Sequence, residues 1–384
     1  MSDSLKEFEN LKSKFSKKKI EEGKLERFAR QIAFLYGIEG NKKMCLQYSK
    51  LISNADLKAG LFNEIAWALS GESLSIEGKY LEFAQTISKM SLDLLTQEKI
   101  NRKGKPVYFT NTEWNKEMDE AYAAYADTYA LVAHKLGDHK EALKYQTIAV
   151  KGLNFEDVEM NSRYAVFKEK LEGEIAVLPF LEKAISDGKA SNEMKDQFSR
   201  IFIKNLEKEE AARMYLASLE KEAKQKHNEM LRSSMFEGNK RPFSLVNLEG
   251  EEVSLHNLKG KIVVIKFWAI WCEPCKKSFP GMQKMVDKYA ADDNVEFLFV
   301  NTWGTKENNE ELVRQFIKEN NYDLQVLLDS QQLVLNQYDL NSVPSRFVLD
   351  QSGQIRFKDD GFSNTQELVH DLTIIIDELT REIN

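Results

Sequence analysis

Ile262-Val263-Val264-Ile265-Lys266-Phe267-Trp268-Ala269-Ile270-Trp271-Cys272-Glu273-Pro274-Cys275 joins a strand-length, nearly continuous apolar run to two cysteines separated by two residues. Such a run suits a strand buried on both faces. A helical pattern follows it, so the spacing lets one helical turn hold Cys272 and Cys275 close enough to close a small disulfide ring. The first sulfur then sits at a helix N-terminus. There the unsatisfied backbone N–H groups and the positive end of the helix dipole stabilise a thiolate, lowering its pKa below the roughly 8.5 of free cysteine. A thiolate attacks a disulfide and a thiol does not. Cys272 is expected to attack a substrate disulfide, and Cys275, held just behind it, to resolve the mixed disulfide by intramolecular displacement.

A CxxC pair can also be half of a zinc site or two packed cysteines. A structural zinc site needs four ligands, and the only other cysteine is Cys45, more than two hundred residues away. His134, His139, His227, His256 and His370 show no paired spacing near the motif. No metal is expected. Cys45, within Lys43-Met44-Cys45-Leu46, reads as a packed small hydrophobe.

The 384 residues, 42% hydrophobic and 30% charged, allow two or three domains with ample core. A formal net charge of −7 leaves no basic footprint for nucleic acid, and short clusters such as Lys17-Lys18-Lys19 read as solvated helix face. No stretch approaches the roughly 20 apolar residues that span a bilayer. Met1-Ser2-Asp3-Ser4-Leu5-Lys6 lacks the apolar core of a signal peptide, so no export address is expected within this chain. Three cysteines, two of them in one motif, leave the redox compartment open.

The period of the pattern changes along the chain. From about residue 5 to 235, apolar residues recur at three-and-four spacing, with Pro106 and Pro179 as the only breakers. After Phe236-Glu237-Gly238-Asn239, four of the six prolines appear among short apolar runs. The fold class expected is multidomain: an all-α, helical-repeat-like domain over 1–237 and an α/β domain over 238–384. Tyr125-Ala126-Asp127-Thr128-Tyr129-Ala130, the Leu136-Gly137-Asp138 turn, then Ala142 and Ala149 resemble a tetratricopeptide unit, with Asn63 to Leu69 and Tyr80 to Met90 as a weaker echo. Any helical hairpin with alanine contacts has the same look, and both readings stand. A charged helix from Glu207 to Arg232 is expected to lead into the second domain.

In that second domain Phe243 to Leu248 and Val253 to Leu255 read as a hairpin turning at Gly250, and Ile262 to Trp268 as the core strand. Helix from the cysteines to about Ala290, strand Val295 to Val300, helix Asn309 to Asn320, strand Leu324 to Leu328 and helix Ser330 to Tyr338 follow. Two final strands, Arg346 to Leu349 and Gln354 to Phe357, precede a closing helix, Thr365 to Glu382. That order suits a mixed sheet covered by helices on both faces.

From Arg241 onward the chain resembles the thioredoxin superfamily, specifically its TlpA-like and ResA-like thiol-disulfide oxidoreductases. The resemblance rests on the Pro242-Phe243 to Lys261 lead-in, the Val264 to Cys275 block, the helix inserted after the second core strand, and Ser342-Val343-Pro344. It implies a thioredoxin-like fold and a redox-active Cys272–Cys275 disulfide with no separate cofactor. It further implies that Pro344 follows a cis peptide beside the cysteines and that Val343 offers its backbone to an extended substrate segment. Trp271, Glu273 and Pro274 would line the approach, while Trp268 packs in the core. Two positions depart from the pattern. Lys266 stands where thioredoxins proper carry a buried aspartate that moves the second cysteine's proton, and Ser278 where ResA-like proteins carry a glutamate. The proton acceptor for Cys275 is thus unassigned, while Lys266 and Glu273 are candidates to tune the thiols in opposite directions.

The function expected is reduction of protein disulfides through the WCEPC centre, with the helical domain binding or positioning a partner. The alternative is an adaptor whose redox domain is secondary. A peroxide-reducing enzyme of the superfamily fits less well, since those do not normally place the nucleophile in such a CxxC. Expected partners are a disulfide-containing protein substrate, an upstream thiol reductant and a protein partner for the helical domain, with no nucleic acid and no membrane span. The resemblance favours the periplasm or cell envelope, with the cytoplasm as alternative.

Overall fold

The structure, a computed structural model, describes residues 22–206, 208–304 and 309–382. The start of the helical pattern at residue 5, the cluster Lys17-Lys18-Lys19 and Glu207 lie outside the described residues. The chain divides into two compact units, Met1–Ala223 and Lys224–Asn384.

The first unit is helical throughout its described length. It comprises α1 Glu22–Ile38, α2 Lys42–Ser49, α3 Ala55–Ser70, α4 Leu81–Asn101, α5 Asn111–Lys135, α6 His139–Gly152, α7 Val158–Glu172, α8 Glu174–Ser186, α9 Asn192–Leu206 and α10 Glu209–Ser234, the last running on into the second unit. Helix starts are set locally. Thr110 and Glu113 close a reciprocal capping box at the head of α5, and the Asp138 carboxylate accepts the Glu141 N–H at 3.0 Å at the head of α6. Gly137, at φ +85°, makes the turn between them.

The α5 and α6 backbones approach closely because their contact is built of small residues. Ala126, Ala130, Ala133, Ala142 and Ala149 are fully buried in one cluster, and a Cβ on Gly152 would collide with Ala123. Pro106 falls between helices as expected of a breaker, but Pro179 lies inside α8. The break comes instead at Gly173, whose φ of +93° separates α7 from α8.

The second unit is a seven-stranded mixed sheet in the order β2-β1-β5-β4-β3-β6-β7. Its strands are β1 Ser244–Asn247, β2 Glu252–Ser254, β3 Ile262–Trp268, β4 Val295–Asn301, β5 Val326–Leu328, β6 Ser345–Leu349 and β7 Ile355–Asp360. β3 runs parallel to β4 and antiparallel to β6, with Lys266 opposite Phe299 on one side and Arg346 on the other. Every residue of β3 is buried. Its two faces serve separate cores: Ile262, Val264 and Trp268 join the first, and Val263, Ile265 and Phe267 the second. The first core is covered by α11 Glu273–Tyr289, α12 Asn309–Glu319 and α14 Thr365–Arg381, the second by α13 Leu333–Gln337 and the β1 lead-in.

α13 begins at Leu333 and not at Ser330. The Asp329 carboxylate accepts the N–H groups of Val334 and Leu335 at 3.2 and 2.9 Å, and Gln332 adopts φ +58°, so residues 330–332 form a turn. Similarly, the strand expected from Leu324 starts at Val326, where pairing with Phe299 of β4 begins.

Candidate active site

Cys272 ends the loop after β3 and is the N-cap of α11, its extended backbone at φ −83°, ψ 102° leading into the helix. Its Sγ takes the position of a capping side chain, accepting the Cys275 N–H at 3.2 Å. Glu273 and Pro274 occupy the first turn, where the fixed φ of proline and its missing donor cost the helix nothing. The sulfurs of Cys272 and Cys275 are joined in a disulfide, with Cα atoms 5.2 Å apart. Cys275 has no exposed surface and Cys272 retains 3%.

Across from the disulfide, the Val343–Pro344 peptide is cis, and the Val343 carbonyl oxygen lies 3.6 Å from Cys272 Sγ. Val343 is half-buried, Pro344 buried, and Pro344 leads directly into β6. Trp268 is wholly buried against Phe279, their ring centres 4.8 Å apart, whereas Trp271 is 62% exposed. Glu273 pairs with Lys276 at 3.2 Å on the exposed side of α11.

Lys266 and Arg346 face each other beneath this helix. Lys266 has no exposed surface, and its Nζ has no hydrogen-bond partner among the described residues. Burial, and secondarily the Arg346 charge, hold its pKa well below the usual lysine range, which favours the uncharged amine over the ammonium. Arg346 donates to Asp359 and is also attracted by Asp371 and Glu367 of α14, although burial lowers its pKa too. The Ser278 hydroxyl is buried and donates to the Cys275 carbonyl at 2.6 Å.

Two neighbours were not marked in the sequence. Trp303, just past β4, stacks on Trp271 with centres 6.5 Å apart and accepts its indole N–H through the backbone carbonyl at 3.0 Å. Its place beyond the C-terminal end of a parallel strand, where α/β ligand crevices gather, was a usable signal. Arg346 was hidden because its pairing with β3 spans eighty residues of chain. As for metal ligands, His227, Glu367 and Asp371 bring one atom each within 4.8 Å of one another. His227 is bonded to Asp371 at 2.7 Å, and the Glu367 carboxylate accepts from the Ser363 hydroxyl and the Asn364 side-chain amide.

A strand, a dithiol at the head of a helix and a proline loop facing it are equipment for thiol-disulfide exchange. A family model described as AhpC/TSA matches residues 238–358, inside the sheet-bearing unit. The thiol-disulfide oxidoreductase ResA of Bacillus subtilis is 34% identical over 146 residues, which are 38% of this chain and 78% of ResA. The chain belongs to the thioredoxin-like thiol-disulfide oxidoreductases. The sporulation thiol-disulfide oxidoreductase A of Bacillus subtilis is likewise 34% identical, over 113 residues that make up 29% of this oxidoreductase and 67% of that one. The crystal structure of StoA from Bacillus subtilis shares 30% identity, covers 34% of this oxidoreductase and 96% of its own chain, and gives a TM-score of 0.31.

Proposed function

We propose that this oxidoreductase reduces protein disulfides through Cys272 and Cys275, Cys272 attacking and Cys275 resolving. The observation that carries the reading is the Cys272 sulfur itself. It caps α11, is bonded to Cys275, keeps the pair's only exposed surface, and stands 3.6 Å from the Val343 carbonyl. In the reduced state the first-turn N–H groups favour the Cys272 thiolate. The thiolate attacks one sulfur of a substrate disulfide and expels the other as a thiolate. Cys275 then displaces the captured sulfur, and two electrons have passed to the substrate. Val343 offers its backbone to the substrate strand, while Trp271, Glu273, Pro274 and Pro344 frame the approach. An upstream thiol reductant regenerates the dithiol; the resemblance favours the cell envelope as the site of the reaction, with the cytoplasm as alternative.

The helical region, residues 1–237 in this reading, binds or positions a partner. Support comes from a cavity of about 990 Å³ in the helical unit, lined by His134, His139, Arg163, Lys170, Glu193 and Arg200 among others. That cavity is also what favours the second reading, an adaptor with a secondary redox role.

Trapping tests the roles. With a disulfide protein such as insulin, Cys275→Ser should accumulate a covalent mixed disulfide and Cys272→Ser none. Equal trapping by both variants would overturn the assignment, and a wild type that captures partners but reduces no disulfide would favour the adaptor.

A further inference from the structure

We propose that Lys266 is the base that takes the proton from Cys275 when Cys275 displaces the substrate from Cys272. The proposal rests on the dithiol reading above and supplies the proton acceptor that reading lacks. A thiol sealed among apolar side chains resists ionisation, so the resolving sulfur needs a base within the core. The groups around it narrow the choice. Ser278 spends its hydroxyl on the Cys275 carbonyl and is no base. Asp359 of β7 is engaged by Arg346 of β6, and Glu367 and Asp371 of α14 act toward that same guanidinium. From β4 the register partner is Phe299, which carries no charge. α11 contributes only the two cysteines and Ser278 to the buried polar and thiol groups of its first two turns.

What is left is Lys266, fully buried, its Nζ without a hydrogen-bond partner among the described residues. Its Cα alternates with Val264 and Trp268 on the sheet face that α11 covers, and its Nζ stands 6.0 Å from the Phe279 ring centre. Phe279 follows Cys275 by four residues, so the two side chains are neighbours on one face of α11. Burial disfavours the ammonium and so favours an amine with its lone pair available, and Arg346 opposes a second positive charge until a thiolate appears.

The step balances. The Cys275 thiol gives its proton to the Lys266 amine, leaving a thiolate and an ammonium whose charges cancel within the core. The thiolate attacks Cys272 Sγ of the mixed disulfide, the Cys272–Cys275 bond forms, and the bond from Cys272 to the substrate sulfur breaks. The departing substrate thiolate takes up a proton as Lys266 returns to the neutral amine.

The test is the resolution step in the full chain, followed by rapid mixing of the reduced protein with a disulfide-bonded peptide between pH 6 and 8. Capture by Cys272 in Lys266→Met should stay within about twofold of wild type, while resolution slows by roughly 10²-fold, the usual worth of a positioned base. Resolution in the variant should also climb about tenfold per pH unit as hydroxide replaces the base, more steeply than in wild type. Lys266→Gln, which keeps a polar group without basicity, should match Lys266→Met. Unchanged resolution in folded variants overturns the proposal, as does a wild-type profile that itself climbs tenfold per unit should neither variant fold. A wild type that forms no mixed disulfide at all brings down the dithiol reading and this one together.

Discussion

Three cysteines with the same intrinsic chemistry are set apart by their surroundings. Cys272 caps a helix and keeps a little surface, Cys275 is sealed one turn further in, and Cys45 is buried in the helical unit, in the same apolar cluster as Ile65 and Tyr48. Burial pushes the Cys45 thiol up to about 11. At pH 8 that leaves roughly one molecule in a thousand as thiolate, the nucleophilic form. Iodoacetamide should therefore label Cys272 in the reduced native protein and leave Cys45 unmodified until denaturant is added. Mass mapping after a brief pulse at pH 8 checks this, and comparable labelling of Cys45 would contradict its packed role. The sequence allowed that reading of Cys45 from its apolar neighbours. It could not show that Trp303 meets Trp271, because that contact joins the ends of two different strands.

At the scale of the helix, the buried polar residues hold the helical unit in register. Asp127 of α5 accepts both Nε and Nη2 of Arg163 on α7 at 2.8 Å, and the amide of Gln146 on α6 at 2.7 Å. Gln146 also donates to the Met160 carbonyl at 3.0 Å, and the Arg163 guanidinium lies 5.6 Å over the Trp67 ring. Removing one partner strands a charge away from water. Asp127→Ala should cost the helical unit about 3–5 kcal/mol, whereas Asp127→Leu combined with Arg163→Met should recover much of the loss. Chemical denaturation of the single and double variants decides it, and a loss below about 1 kcal/mol in Asp127→Ala would mean the network is solvated. None of this was legible in the residues 125–150, where the three-and-four period and Gly137 forecast two packed helices. Periodicity reports which face is buried, not which polar pair is buried with it. Strand β3 was clear for the opposite reason: seven buried residues in a row leave few alternatives.

For the molecule as a whole, the change of period told a helical N-terminal region from an α/β C-terminal one, and the order of elements implied a mixed sheet. The blurred parts were short ones, such as α13, whose start is set by the Asp329 side chain and not by apolar spacing. The residue that broke the apolar run, Lys266, is where global stability and chemistry pull apart. In the unfolded chain this lysine titrates near its ordinary value of 10.5, while in the fold its pKa is held well below that by burial. Below pH 10.5 unfolding thus takes up a proton that the folded state refuses, so stability is lost as pH falls and returns as pH rises toward that value. Lys266→Met, similar in length and without the amine, should melt at a higher temperature than wild type at pH 7 in the disulfide form. The advantage should shrink steadily from pH 8 to pH 10.5, as the unfolded wild type ceases to gain its proton. Calorimetry on the oxidised proteins across that range measures both the sign and the slope. A variant that melts lower at pH 7, or whose difference from wild type ignores pH, would mean that Lys266 is charged in the fold. A higher-melting Lys266→Met variant would mark Lys266 as a residue kept for proton transfer at a cost in stability.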